Sequence, residues 1–237
     1  MPARGLRRFL ELIGMRHYSG RSRLPRHRHL GAYAAVVLAG EYVEAGDRGR
    51  HRLAAGKVVF HRPFEAHQDE FGRTGAIVLD LPLALCPVFS TGELDAVDAV
   101  VRLAERDLRA AADLLLEEVR PAEAALADWP DALAGVLTSR PETSLTAWAE
   151  QHGLTPQSVS RGFRQTYGTT AKRFRAEHRA QRAVHALPEW TGTLAGLAAE
   201  LGFVDQAHLT RAVVSLTGCS PGRLRVKWIQ DRSRASG

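Results

Sequence analysis

A chain of 237 residues with 45% hydrophobic side chains can bury a core in one large domain or two small ones. No apolar run approaches the ~20 residues of a membrane span, which excludes a membrane partner. Two cysteines, Cys86 and Cys219, lie in different halves of the sequence; they read as small buried thiols of a cytoplasmic protein rather than as a disulfide framework.

The formal net charge of +6 is unevenly spread. Ser139 to Gly237 holds 14 Lys and Arg against 7 Asp and Glu, whereas residues 1–138 hold 18 against 19. The whole positive excess therefore sits in the C-terminal part, as expected of a segment that binds phosphates.

Residues 1–30 contain eight Arg and one acid, Glu11. Glu11 interrupts the only short apolar stretch there and no small-residue cleavage site follows, so a secretory signal is rejected. A mobile arm and a first edge strand both fit the segment. Tyr33–Leu38, Lys57–His61 and Ala76–Leu81 are short apolar runs separated by Gly40, Gly46, Gly49, Gly56, Gly72 and Gly75, which predicts a small β-sandwich or barrel.

From Gly92 onward the apolar spacing turns helical, through Leu94, Val97, Val101 and Leu103 and then Leu108, Ala111, Leu115 and Val119. Pro121 and Pro130 mark breaks, and another helix is expected over Pro130–Leu137. The surplus leucines of Leu114–Val119 have two candidate covers, the protein's own sheet or a helix of a second subunit. Thr138–Thr143 is polar, holds a Pro and reads as a linker. The expected divisions are 1–89, 90–138 and 139–237.

The last hundred residues contain one pattern twice: Ala149, Gly153, Arg161, Phe163, Gly168, and then Ala198, Gly202, Arg211, Val213, Gly218. The offset is 49 residues before the turn and 50 after it, so the second turn is one residue longer. A helix, a Gly turn and a second helix describe a helix-turn-helix, here in tandem. Ser144, Thr155, Thr193 and Asp205 are the expected N-caps, and Pro156 suits a first helical position. Small Ala149 allows a close helix crossing against Val159 and Phe163. Gln157, Ser158, Ser160, Arg161 and Arg164 then share an outer stripe of donors and acceptors, which base-edge readout requires. The basic helix from Thr170 to about Leu187 carries Lys172, Arg173, Arg175, Arg179 and Arg182, with Phe174, Ala183 and Leu187 turned inward. Such a rod would set the two units ~34 Å apart, one turn of DNA.

Gly202–Arg225 (GFVDQAHLTRAVVSLTGCSPGRLR) resembles the signature of AraC-type transcription regulators, and the resemblance extends over about Ser144–Trp228. It implies base contacts from Gln157, Ser158, Ser160 and Arg161 and from Gln206, Ala207, His208, Thr210 and Arg211. Arg164, Lys172, Arg173 and Arg179 are the expected phosphate contacts. This chain departs from the family pattern at Leu209, where an aromatic is usual, and at Val213-Val214, where a Phe-Lys pair is usual. The second change removes one phosphate contact.

His27-Arg28-His29 with Gly40, and Gly56 with His67 eleven residues later, resemble the two motifs of the cupin family over about Pro25–Pro82. The resemblance implies a small β-barrel and, in metal-binding members, one ion held by three His and a Glu. Here His27, His29 and His67 fit, and Tyr33 stands where the Glu is expected. Strand alternation places His27 and His29 on one face, as two ligands of one Zn²⁺ or similar divalent metal require. Metal binding, effector contact without metal, and neither remain open at this point. His27, His29, Tyr33, His61 and His67 form the expected effector pocket, with Glu41 secondary and His51 exposed.

The expected fold is α+β: an N-terminal cupin-like barrel, a helical linker or dimerisation region, and an all-α C-terminal tandem helix-turn-helix domain. The expected function is a cytoplasmic, non-enzymatic transcription regulator under a small-molecule or metal effector. Its expected partners are double-stranded DNA, a second copy of the chain and, for an activator, RNA polymerase. The alternatives are a metal-dependent cupin enzyme with an accessory DNA-binding tail, and a DNA-binding module whose ligand-free barrel serves only dimerisation.

Overall fold

The computed structural model describes residues 14–123 and 125–226. The first thirteen residues of the basic start, and Lys227 and Trp228, lie outside the described residues. The chain forms two compact units, one running to Ala132 and one from Leu133 onward, with residues 165–168 grouped with the first.

Among the described residues the first unit holds an antiparallel sheet of eight strands: β1 (Met15–Tyr18), β2 (Arg23–Arg28), β3 (Tyr33–Gly46), β4 (Gly49–Ala54), β5 (Lys57–His61), β6 (Ala66–Pro82), β7 (Thr91–Glu93) and β8 (Arg120–Pro121). Two long strands organise it. The first half of β3 pairs with β5 and with the end of β6, whereas its second half pairs with β4 and the start of β6. β1 and β2 pair with opposite ends of β6 in the same way. The segment expected as an arm or an edge strand thus includes two strands.

The change of layer occurs at Gly40, which has φ +75° and lies beside Gly75 and Ala76. A Cβ on Gly40 would stand 2.0 Å from the Gly75 carbonyl oxygen, so only glycine fits. Register shifts flank that point in β3, and such bulges let a long strand bend from one layer into the next.

Strand alternation then assigns two faces. Ala34, Val36, Val58, Phe60, Leu79 and Leu81 share a core with α1 (Val97–Ala104) and α2 (Leu108–Glu118), through Val100, Ala104, Ala111, Ala112 and Leu115. Ala35, Val37, Val59 and Val78 face the other way and meet Tyr42, Leu53 and Phe71. The helices after residue 92 pack on the protein's own sheet through Leu115, which is fully buried, and Leu114, while Leu116 is exposed.

Three details differ from the sequence expectation. Residues 91–93 are strand, paired with β5 and β8 rather than helical. The single helical run is two helices, because the Asp107 carboxylate accepts from Arg109 and Ala110 N–H at 2.9 and 3.0 Å and caps α2. Helix α3 (Trp129–Ser139) extends into the segment expected as linker.

The second unit continues with α4 (Leu145–Gln151), α5 (Pro156–Tyr167), α6 (Ala171–Ala186), α7 (Leu194–Glu200) and α8 (Gln206–Thr217). Its buried apolar residues include Trp148, Ala149, Val159, Phe163 and Phe174 in the first half and Leu197, Ala198, Phe203, Leu209, Val213 and Leu216 in the second. Phe163 and Phe174 meet edge to face with centroids 5.4 Å apart. Helix α6 packs against α8, and its Phe174, Ala183 and Leu187 side are buried as expected. Among the described residues no helix is long and apolar enough to cross a membrane.

Candidate functional site

In the first unit the strands surround a cavity of about 270 Å³. His27, His29, Tyr33, His61 and His67, drawn from β2, β3, β5, β6 and the turn after β2, all line it. The rings of His27 and His67 have centroids 4.3 Å apart, those of His27 and His29 4.9 Å, and those of His61 and His67 4.5 Å. His27, His29 and His67 present ligand atoms that lie within 4.8 Å of one another. Tyr33 stacks on His61, and its hydroxyl lies 3.0 Å from His67 Nε2.

The carboxylate missing from position 33 comes from elsewhere on the same strand. Glu44 is 3% exposed, and its Oε2 lies 3.4 Å from both His61 Nε2 and His67 Nδ1. These three side chains form a second buried group of candidate metal ligands. Glu41, the acid singled out in sequence, points outward beside Arg52 with half of its side chain exposed. The parity of β3 explains the difference: Tyr42 and Glu44 alternate inward, Glu41 outward. His51, expected to be exposed, is 5% exposed and lines a smaller cavity next to Glu44 and His61. On β4 it alternates with Arg50 and Arg52 and shares the inward face of Leu53.

Charge in this cavity is strongly organised. Burial alone would raise the Glu44 carboxyl, but His61 and His67 hold it well below the usual range. Burial works against a charge on His67, yet Glu44 and Asp69 outweigh it and push the imidazole up to about 10. His67 Nδ1 donates to Asp69 Oδ1 at 3.0 Å. Burial, reinforced by His67 and His27, drives His29 down to about 4, and burial together with His67 also lowers His27. His27 and His29 are therefore neutral near pH 7, with lone pairs available to a metal or to a hydrogen-bond donor. His29 Nε2 is buried without a hydrogen-bond partner in the structure, so the donor set fits a bound metal or polar ligand.

In the second unit the turn chemistry follows the sequence closely. Ser144, Thr170, Thr193 and Asp205 each cap a helix through a side-chain oxygen, and Asp205 accepts from His208 N–H at 2.6 Å. Thr155 accepts from Ser158 N–H at 3.1 Å and so caps α5. Gly153 and Gly202 adopt φ +65° and +71° between the paired helices, and Gly168 and Gly218 adopt φ +66° and +72° after the second helix of each pair. Two helix-turn-helix units with matching left-handed corners result.

The helix-turn-helix domain family matches residues 148–227. These residues are an AraC-type helix-turn-helix domain. The C-terminal domain of AraT, a response regulator from Geobacillus stearothermophilus, is 19% identical, with 43% of this chain and 87% of that chain covered and a TM-score of 0.40. A DNA-binding transcriptional dual regulator from Escherichia coli K-12 is 16% identical, with 46% and 99% covered and a TM-score of 0.41. ToxT from Vibrio cholerae is 5% identical, with 90% and 97% covered and a TM-score of 0.42. No curated protein matches the chain.

On the AraC-type domain, Gln157, Ser158, Ser160, Arg161 and Arg164 of α5 are exposed, as are Gln206, Ala207 and Arg211 of α8, while His208 and Thr210 are half-buried. Ser158 accepts a hydrogen bond from the Thr155 hydroxyl at 2.9 Å, which engages it locally. His208 sits edge-on to Phe203. Lys172 and Arg173 are exposed on α6. Two other α6 arginines serve the domain itself: Arg175 donates to the Pro141 and Thr143 carbonyls, and Arg179 lies over the Phe203 ring and pairs with Glu142 at 3.4 Å. Val214 stands exposed where the family pattern has a Lys.

Proposed function

We propose that the protein is a sequence-specific transcription regulator whose N-terminal unit binds a small effector or a metal. The observation that carries the DNA-binding part is the tandem pair of capped helix-turn-helices, each presenting an exposed polar face on its second helix. In this reading Gln157, Ser158, Ser160 and Arg161 contact bases in one major-groove segment, and Gln206, Ala207, His208, Thr210 and Arg211 contact bases in the next. Arg164, Lys172 and Arg173 contact phosphates. Arg179 is tied to Glu142 and Phe203 and contributes through the field of the domain more than through a contact.

The effector occupies the cavity lined by His27, His29, Tyr33, His61 and His67. The neutral His27 and His29 and the partly unsatisfied ring nitrogens support this role. If a divalent metal such as Zn²⁺ is part of the site, it supplies a Lewis-acidic anchor for an anionic or oxygen-bearing effector. Control follows if the effector binds two states of the protein with different affinity.

A thermal-shift screen of metals and small metabolites on the full chain tests the sensor role. A ligand at 100 times its Kd is expected to stabilise the protein by ~2.7 kcal/mol, and His29→Ala is expected to abolish the shift given by a small metabolite. A melting temperature unmoved by every metal and metabolite would leave the barrel without a sensing function.

A further inference from the structure

The cavity contains two overlapping sets of metal-ligating side chains, and they share one residue. His67 presents Nε2 toward Tyr33, on the side of His27 and His29, and Nδ1 toward Glu44. We propose that Glu44, His61 and His67 form an inner Zn²⁺ site, distinct from the His27–His29 side of the cavity, with Glu44 Oε2, His61 Nε2 and His67 Nδ1 as ligands. The inference rests on the reading of this cavity as a ligand site.

Three observations carry it. Glu44 Oε2 lies 3.4 Å from both His nitrogens. That is long for a hydrogen bond, but it matches the ~3.3–3.5 Å edge of a tetrahedron whose ligands stand ~2.0–2.1 Å from a zinc ion. All three side chains offer ligand atoms that lie within 4.8 Å of one another, within reach of a single ion. Glu44 Oε2 and His61 Nε2 are also buried and lack a hydrogen-bond partner in the structure, on side chains 3% and 5% exposed. A carboxylate oxygen and an imidazole nitrogen can each offer a lone pair, so one cation can satisfy both.

The third observation concerns the fourth position. Beside Glu44, His61 and His67 lies a small cavity of about 10 Å³, also lined by His51. It is about the size of one water molecule, the usual fourth ligand of a zinc with three protein donors. Both ring nitrogens of His51 are buried without a partner, so His51 can hold that water. Zinc would take His67 Nδ1 from its hydrogen bond to Asp69. The metal would then fix the His67 ring with Nε2 toward Tyr33 and leave His27 and His29 to the effector.

The test is zinc affinity of the full chain, measured by competition with a chromophoric chelator, with cobalt substitution to report tetrahedral coordination by its visible absorption. One zinc per chain is expected. Glu44→Gln and His61→Ala are expected to weaken binding by more than the ~10–100-fold typical of losing an outer-shell partner, while His27→Ala and His29→Ala change it less than about threefold. Circular dichroism of Glu44→Gln, which conserves shape, separates ligand loss from unfolding. Absence of stoichiometric zinc, loss of affinity in the His27 and His29 variants equal to that in the inner ones, or wild-type affinity in a folded Glu44→Gln each overturns the inner site. Effector binding that persists in the thermal-shift screen would show that the cavity reading survives such a result.

Discussion

Arg161→Ala is expected to cost ~1–3 kcal/mol of specific DNA binding, and Arg211→Ala a similar amount, each relaxing preference at one or two base positions. Both guanidinium groups sit on exposed faces of second helices, α5 and α8, at equivalent places in the two copies of the repeat. An arginine in that position can donate two parallel hydrogen bonds to one guanine edge. A base lacking the acceptors leaves those donors unpaired, which is the source of discrimination. Arg173 offers the contrast. It is exposed on α6, where its guanidinium pairs with Glu177 one turn away, an ion pair open to solvent on the Arg173 side that contributes little to stability. Its replacement by Ala should weaken binding to all sequences alike and flatten the slope of log affinity against log salt by about one. Titrations against operator and random duplexes at several salt concentrations check both; a uniform loss from Arg161→Ala would remove it from the base-reading face.

Phe163→Ala carries the largest expected effect on stability. Phe163 is fully buried and meets Phe174 edge to face. Truncation removes the ring and leaves a cavity that helices held by their own caps cannot fully collapse. The expected cost is ~3–5 kcal/mol, a large share of the ~5–15 kcal/mol that holds a typical domain folded. DNA binding should fall with the folded fraction of the second unit. Urea unfolding followed by tryptophan fluorescence measures this. A loss below about 1 kcal/mol would mean that the ring is not the wedge between α5 and α6.

The second unit was legible in sequence because its signals are local. A cap lies three residues from the N–H that it binds, a left-handed Gly marks a corner by itself, and an i, i+3, i+4 stripe identifies its buried face. Thr155, Asp205, Gly153 and Gly202 all act where their neighbours in sequence place them. The roles of Arg175 and Arg179 were not legible, because they depend on Pro141, Thr143, Glu142 and Phe203, which are distant in sequence.

The first unit was legible in kind but not in extent. β3 and β6 are longer than their apolar runs because they continue through glycines into a second layer, where the pairing partners rather than the composition keep the chain extended. His27, His29 and His67 were singled out through the resemblance to the cupin motifs, and the structure brings them together. Glu44 and His51 were missed, although a period-2 signal was present. Glu44 lies two residues from Tyr42 and His51 two residues from Leu53, each pair sharing an inward face. Charge made both residues look like surface, and only the facing histidines reveal why they are inside.

Hydroxyl-radical footprinting of the purified protein on the promoters that it occupies across the genome tests the central claim most directly. Two reading helices on one rod are expected to protect two short segments on the same face of the duplex, about one helical turn (~34 Å) apart, with random DNA of equal length bound far more weakly. A single protected segment, or protection that does not distinguish these promoters from random sequence, would contradict the account of paired helix-turn-helices reading successive grooves.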